Sequence, residues 1–207
     1  MKRHRQIRGR IAVACLTLGI GCAVALLTSP LLRAQGSTVQ VDPAQTKIEF
    51  FLGSTLHTVH GTFALKSSSI RYDPATGNIS GAIVVDATSG QSGNTGRDER
   101  MHREILESAK YPEIAFTPTQ IKGSVASNGS SGVEVSGKFR LHGKDHDMTL
   151  PVQIVADGAT LQMSMHFVIP YVEWGLKNPS TFVLRASDKV EIEIHATGRM
   201  ESAAAAQ

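Results

Sequence analysis

Apolar and polar side chains alternate with a period of two through the second half of the chain. Val133, Val135, Gly137, Phe139 and Leu141 are interleaved with Glu134, Ser136, Lys138 and Arg140. Leu161, Met163, Met165, Phe167 and Ile169 alternate with Gln162, Ser164 and His166, and Val190, Ile192 and Ile194 with Glu191, Glu193 and His195. Leu150, Val152, Ile154 and Ala156 repeat the pattern less cleanly. Successive strand side chains point to opposite faces, so this period predicts strands with one dry and one wet face, as in an antiparallel sheet covered on one side. Runs at 47–52, 59–66, 79–86 and 114–122 predict further strands with muddier alternation. Turn residues punctuate them: Asp73-Pro74-Ala75-Thr76-Gly77, Ser127-Asn128-Gly129, Gly143-Lys144-Asp145 and Asp157-Gly158. The expectation is an all-β fold of about eight antiparallel strands, a sandwich or barrel. One segment departs from it. Met101, Ile105 and Leu106 sit at helical spacing within 98–108, Tyr111-Pro112 ends that run, and a Ser/Gly/Asn-rich loop at 88–96 precedes it.

The amino end has a different pattern. Lys2, Arg3, Arg5, Arg8 and Arg10 come first without an acid; Ile11 then opens an apolar run that Leu27 closes, interrupted only by Thr17. Thr28-Ser29-Pro30 and Leu32-Arg33-Ala34 follow. A basic start, an apolar core and a small-residue exit is the layout of an export signal at 1–34, cleaved after Ala34 or retained as an inner-membrane tether through Ile11–Leu27. The apolar run is long for a signal and short for a span, and Leu32 is large for its place before the cut, so both outcomes stay open. Residues 35–200 form the expected domain, in the periplasm or extracytoplasmic envelope, and 201–207 an expected disordered tail.

Setting that segment aside changes the chemistry. Cys15 and Cys22 both lie inside it, which leaves the exported part without a disulfide, thiol nucleophile or cysteine metal site. Cys22 as a lipid-attachment site fits poorly, because Gly19 stands where a leucine is expected. Six of the 21 Lys and Arg residues also lie there, leaving 15 against 18 acids, a net of −3. There is no basic stripe with interleaved aromatics, so nucleic acid is not an expected partner.

Four features carry possible chemistry. The dry faces offer Phe63, Phe116, Phe139, Met163, Met165 and Phe167, with Trp174 just beyond. A small barrel is filled by such side chains or holds one small ligand among them, and alternation alone does not separate the two. Phe50 and Phe51 are neighbours, so only one of them points inward. His57 and His60, and His142 and His146 with Asp145 or Asp147, form pairs that a hairpin could assemble into a metal site or that simply bond backbone at turns. Residues three apart on a strand face opposite ways, which weakens the first pair. In Gly93-Asn94-Thr95-Gly96-Arg97-Asp98-Glu99, Asp98 is the expected helix cap and Arg97 a candidate headgroup contact. No phosphate-loop spacing occurs there. Ser92 lacks a nucleophile elbow, and Glu191 and Glu193 read as surface charge, so no catalytic residue, metal or cofactor is assigned.

Four motifs in order resemble the YceI family: His57-Thr-Val-His60-Gly61-Thr-Phe63, Gly93-Asn-Thr-Gly-Arg97-Asp98-Glu99, Tyr111-Pro112-Glu-Ile-Ala-Phe116 and Gly137-Lys-Phe-Arg-Leu141-His142-Gly143. The resemblance spans about 39–198 and implies a lipocalin-like eight-stranded barrel that binds polyisoprenoids or other long-chain lipids. It makes the interior a lined cavity, with Phe63, Phe116, Phe139, Met163, Met165, Phe167, Trp174 and Arg97 as ligand-binding residues. The family pattern is broken at Pro170-Tyr-Val-Glu-Trp174-Gly175, where an arginine often precedes the aromatic-glycine pair. Competing expectations are a histidine-dependent metal-binding envelope protein and a stress-response protein without its own ligand.

Overall fold

Each of the eight alternating runs lies within a strand, and most of those strands extend well beyond their alternation. In a computed structural model that describes residues 36–74 and 76–202, they are β1 (Ser37–Leu52), β2 (Val59–Asp73), β3 (Asn78–Gln91), β4 (Glu113–Lys122), β5 (Asn128–Leu141), β6 (Lys144–Asp157), β7 (Thr160–Ile169) and β8 (Val190–Ser202). The signal segment, the cut after Ala34 and the tether fall outside the described residues. Glu201 and Ser202 belong to β8 and not to the expected tail, whose remaining residues 203–207 lie outside the described residues.

Alternation is lost where the strands bulge. The β1 register shifts between Val41 and Thr46, where Ala44 N donates to Asp42 Oδ1 (2.9 Å) and Thr46 Oγ1 to the Asp42 carbonyl (2.6 Å). A bulge puts two residues opposite one, which flips the inside–outside sequence and bends the strand. Similar shifts fall between Thr62 and Ala64 and between Leu65 and Ser67 in β2.

Every strand pairs antiparallel with its sequence neighbour, and β8 returns to pair with β1 from Ser37↔Ser202 to Phe51↔Glu191. The sheet is therefore a closed barrel with no free edge. Tight hairpins fit the strand twist. His142 (φ 50°) and Gly143 (φ 76°) form a two-residue turn between β5 and β6, with positive φ at both central positions as that turn requires.

The segment between β3 and β4 forms α1 (Thr95–Arg100) and then one π-helical turn over Met101–Ile105. It starts earlier than the sequence suggests, and β3 runs to Gln91 through half of the expected loop. The cap is Asn94, whose Oδ1 accepts from Arg97 N (3.0 Å). The expectation that Asp98 caps is corrected: Asp98 Oδ1 instead accepts from Ser92 N (2.9 Å) and from the Ser92 hydroxyl. His102 pins the helix to the barrel. Its Nε2 donates to the Gly90 carbonyl (2.8 Å), leaving Nδ1 to accept from the buried Ser108 hydroxyl (3.0 Å).

Inward rings lie against bare backbone. A Cβ added to Gly61 would stand 2.2 Å from Phe50 Cζ and 2.4 Å from the Gln91 carbonyl oxygen. Gly61 is thus a packing requirement of the Phe50 ring. Gly61→Ala is expected to cost about 1–3 kcal/mol through overpacking. The measurement is the shift in urea midpoint at unchanged slope.

Candidate binding chambers

The inward residues of each strand sort by height along the barrel. Ile114, Leu141, Ile169, Val190 and Ile192 line a chamber of about 390 Å³ at one end. Ile83, Val135, Leu150, Ile154 and Met200 line a chamber of about 110 Å³ at the other. Between them on the inner face stand the buried Ile48, Phe139 and Phe167, which belong to neither lining. Phe139 meets Phe167 edge-on at 6.3 Å between centroids. The interior is therefore two apolar spaces separated by an aromatic and aliphatic waist.

The larger chamber is roofed by segments outside the barrel wall. Arg97, Arg100, Met101, Ile105 and Leu106 come from the helical segment, and Tyr171, Leu176, Pro179, Thr181, Leu184 and Ala186 from the strap between β7 and β8. Side-chain hydrogen bonds add to the backbone turns of the strap. Tyr171 Oη donates to the Ser187 carbonyl (2.6 Å), Asn178 Nδ2 to Asp188 Oδ1 (2.7 Å), and Ala186 N to Ser180 Oγ (2.8 Å).

The sequence-predicted residues divide among these regions. Phe63 and Arg97 line the larger chamber, and Phe116, Met163 and Met165 the smaller one. Phe139 and Phe167 form the waist. Trp174 lies beside it, 5.8 Å from Phe139 and stacked flat on His146 at 3.9 Å. Phe50 points in and Phe51 out, where Phe51 meets His60 edge-on at 4.6 Å. Leu52 and the roof residues other than Arg97 were missed, and the choice between Phe50 and Phe51 was left open. The helical spacing of Met101, Ile105 and Leu106 was a usable signal for one part of the roof.

Polar groups gather only at the larger chamber. Arg97 Nε donates to Ser92 Oγ (2.7 Å) and one terminal nitrogen to the Ser92 carbonyl (2.8 Å), which fixes the guanidinium in the chamber wall. Arg100 pairs with Glu104 at 3.2 Å. Ser54, His57 and Thr181 complete this polar side.

The histidine pairs have separate engagements. His57 lies in the loop before β2 at the chamber rim, and His60 in β2 meets Phe51 on the outer face. His142 Nε2 donates to Glu107 Oε2 (2.6 Å) under the Tyr111 ring, whereas His146 stacks on Trp174. The tight His142-Gly143 turn aims the two rings at different neighbours. Among the described residues no three His, Cys, Asp or Glu side chains are placed to hold a metal ion.

The YceI-like domain family matches residues 39–198, the span of the two-chambered barrel. The chain belongs to the YceI-like family. It is 25% identical over 104 residues to Protein YceI of Escherichia coli O6:H1, covering 48% of this chain and 51% of that protein. The chain thus spans about half the length of that YceI relative. UPF0312 protein VPA0850 of Vibrio parahaemolyticus is 24% identical over 147 residues, 67% of this chain and 72% of that protein. Two solved structures share the fold. Burkholderia cenocepacia BcnA has a TM-score of 0.62 at 21% identity, covering 76% of this chain and 98% of its own. A polyisoprenoid binding domain from Saccharophagus degradans, implicated in plant cell wall breakdown, has a TM-score of 0.59 at 16% identity, with 78% and 97% covered.

Tyr171 gives this YceI-like roof a pH dependence. Burial first, and then the negative charge of Asp188, push its hydroxyl up to about 12. The folded state holds this proton more tightly than the unfolded chain does. Its contribution is therefore complete below the unfolded value near ~10 and is lost as pH rises toward the folded one. Denaturant midpoints taken at intervals across this window should fall more steeply for the parent than for Tyr171→Phe, which has no such proton to lose.

Proposed function

We propose that the protein is exported and holds a polyisoprenoid or other long-chain lipid inside the barrel, for carriage or storage in the cell envelope. The observation that carries this reading is the 390 Å³ apolar chamber with few polar groups, among them Arg97, which Ser92 holds in the lining. That volume falls within the ~300–1,000 Å³ of small-molecule sites, and the smaller chamber falls below it. Membership of a lipid-binding barrel family and the fold shared with a polyisoprenoid binding domain support the same reading.

The energetics favour a chain-like guest. Moving a methylene from water into a dry chamber returns about 0.8 kcal/mol. Phe63 and the roof residues would take the part of the lipid next to its head, and Arg97 would face that head. Phe116, Met163 and Met165 would receive the far end of a tail that passes Phe139 and Phe167, with Trp174 bracing the waist. The basic start and apolar run of 1–34 support export to the periplasm. Cleavage after Ala34 would release a carrier, and retention would leave Ile11–Leu27 as a tether to the inner membrane.

Mass spectrometry of an organic extract of the full protein, purified from membranes without added lipid, tests the proposal. A long-chain lipid near one equivalent is expected, and an extract free of one overturns it. Ala186→Trp places an indole in the larger chamber. It should lower recovered lipid about fivefold or more, equivalent to ~1 kcal/mol of binding.

A further inference from the structure

A second surface stands on the roof of the larger chamber and has no part in lining it. Thr181 N donates to the Leu184 carbonyl (2.8 Å), and Leu184 N to Thr181 Oγ1 (3.1 Å), closing a four-residue turn. Its two central residues are Phe182 and Val183, 99% and 78% exposed. Gly, Pro, Asn, Asp and Ser dominate tight turns because they satisfy their geometry and tolerate water, and a Phe-Val pair does neither. A third apolar side chain stands beside them. Leu56, 70% exposed, tips the β1–β2 loop, which is tied to the strap by Thr55 N to the Arg185 carbonyl (2.9 Å) and Ser187 N to the Gly53 carbonyl (2.8 Å). The bridge between Ser54 and Ala186 completes this junction. These three are among the few large apolar side chains exposed on the described surface, and all belong to this pair of joined loops.

Along the two loops the charges nearest the tip are cations, with Glu173 and Asp188 just beyond them. Lys177 and Arg185 flank the turn, and no acid occurs from 175 to 187 or from 52 to 59. Neither cation has an ion-pair partner among the described residues. Apolar side chains backed by cations match the chemistry of an anionic bilayer surface, whose acyl boundary takes the first and whose headgroups take the second. Thr181 and Leu184 also line the chamber, so the tip is continuous with its rim.

We infer that the joined loops at Leu56 and Phe182-Val183 dock the barrel, roof first, on an anionic membrane surface. This inference stands whether or not the chamber carries lipid, and it does not depend on a retained anchor.

A local probe separates this contact from any contribution of 1–34. In the full chain, Trp174→Phe removes the single tryptophan and Phe182→Trp places one at the tip. With phosphatidylglycerol-containing vesicles at low salt, Trp emission should shift to the blue and be quenched by brominated acyl chains. Adding Lys177→Glu and Arg185→Glu should weaken quenching about fivefold or more, as headgroup attraction is lost. Emission unchanged by vesicles overturns the inference, as does quenching that ignores the charge reversal. A blue shift without vesicles that grows with protein concentration also overturns it, in favour of a second copy as the occupant.

Discussion

Closure of the sheet by β1 against β8 is the constraint on which the interior depends. Pairing from Ser37↔Ser202 to Phe51↔Glu191 leaves every strand with two partners, so backbone polar groups are satisfied within the wall. The side chains that point inward then face only one another. Eight strands give a bore that side chains can just fill, and whether they do so depends on their size at each height. At the waist Phe139 and Phe167 meet and narrow it. Above the waist the space is closed by the helical segment and the strap as well as by the wall, and a chamber of about 390 Å³ remains. Below it, methionines and a phenylalanine leave only about 110 Å³.

Glycines let the rings that are present lie flat on the wall. Phe50 occupies the place a Gly61 Cβ would take, and Phe116 Cζ is 2.9 Å from the corresponding position on Gly137. These are the glycines of the recurrent His-Gly-x-Phe and Gly-x-Phe motifs. Their recurrence has a packing cause: an aromatic ring on a tightly curved inner face needs a neighbour without a side chain. The motifs therefore report the shape of the bore more directly than they report the ligand.

That distinction explains how much could be read from the chain. Alternation in β5, β7 and β8 announced the strands, the inner face and Phe139, Met163, Met165 and Phe167 upon it, since period two survives wherever register is unbroken. It failed in β1, where the Asp42–Thr46 bulge changes which residues face in. The helix start was misplaced because Asp98 has the right chemistry for a cap, while Asn94 has the right position. The largest loss was the roof. Tyr171, Leu176 and Leu184 line the chamber from a strap without regular structure, and their inward direction follows from Tyr171–Ser187 and Asn178–Asp188 hydrogen bonds that no periodicity encodes.

Wall and roof are accordingly held by different physics. The wall is a continuous ladder of backbone pairs, whose opening breaks many bonds together. The strap is held instead by short local turns, by a few ties to the β1–β2 loop, by side-chain hydrogen bonds of Tyr171, Asn178 and Ser180, and by packing against the chamber it covers. Segments with few cooperative bonds open at lower free energy than the strands beneath them. The roof and its helix are also where Arg97 and much of the polar lining sit. In the proposed function the broad apolar lining would favour any long hydrocarbon almost equally, and the guanidinium fixed beside Ser92 would distinguish one end of the guest from the other. On that reading orientation would come from the polar groups and retention from the carbon-lined wall, so substitutions in the two regions are expected to have separable consequences.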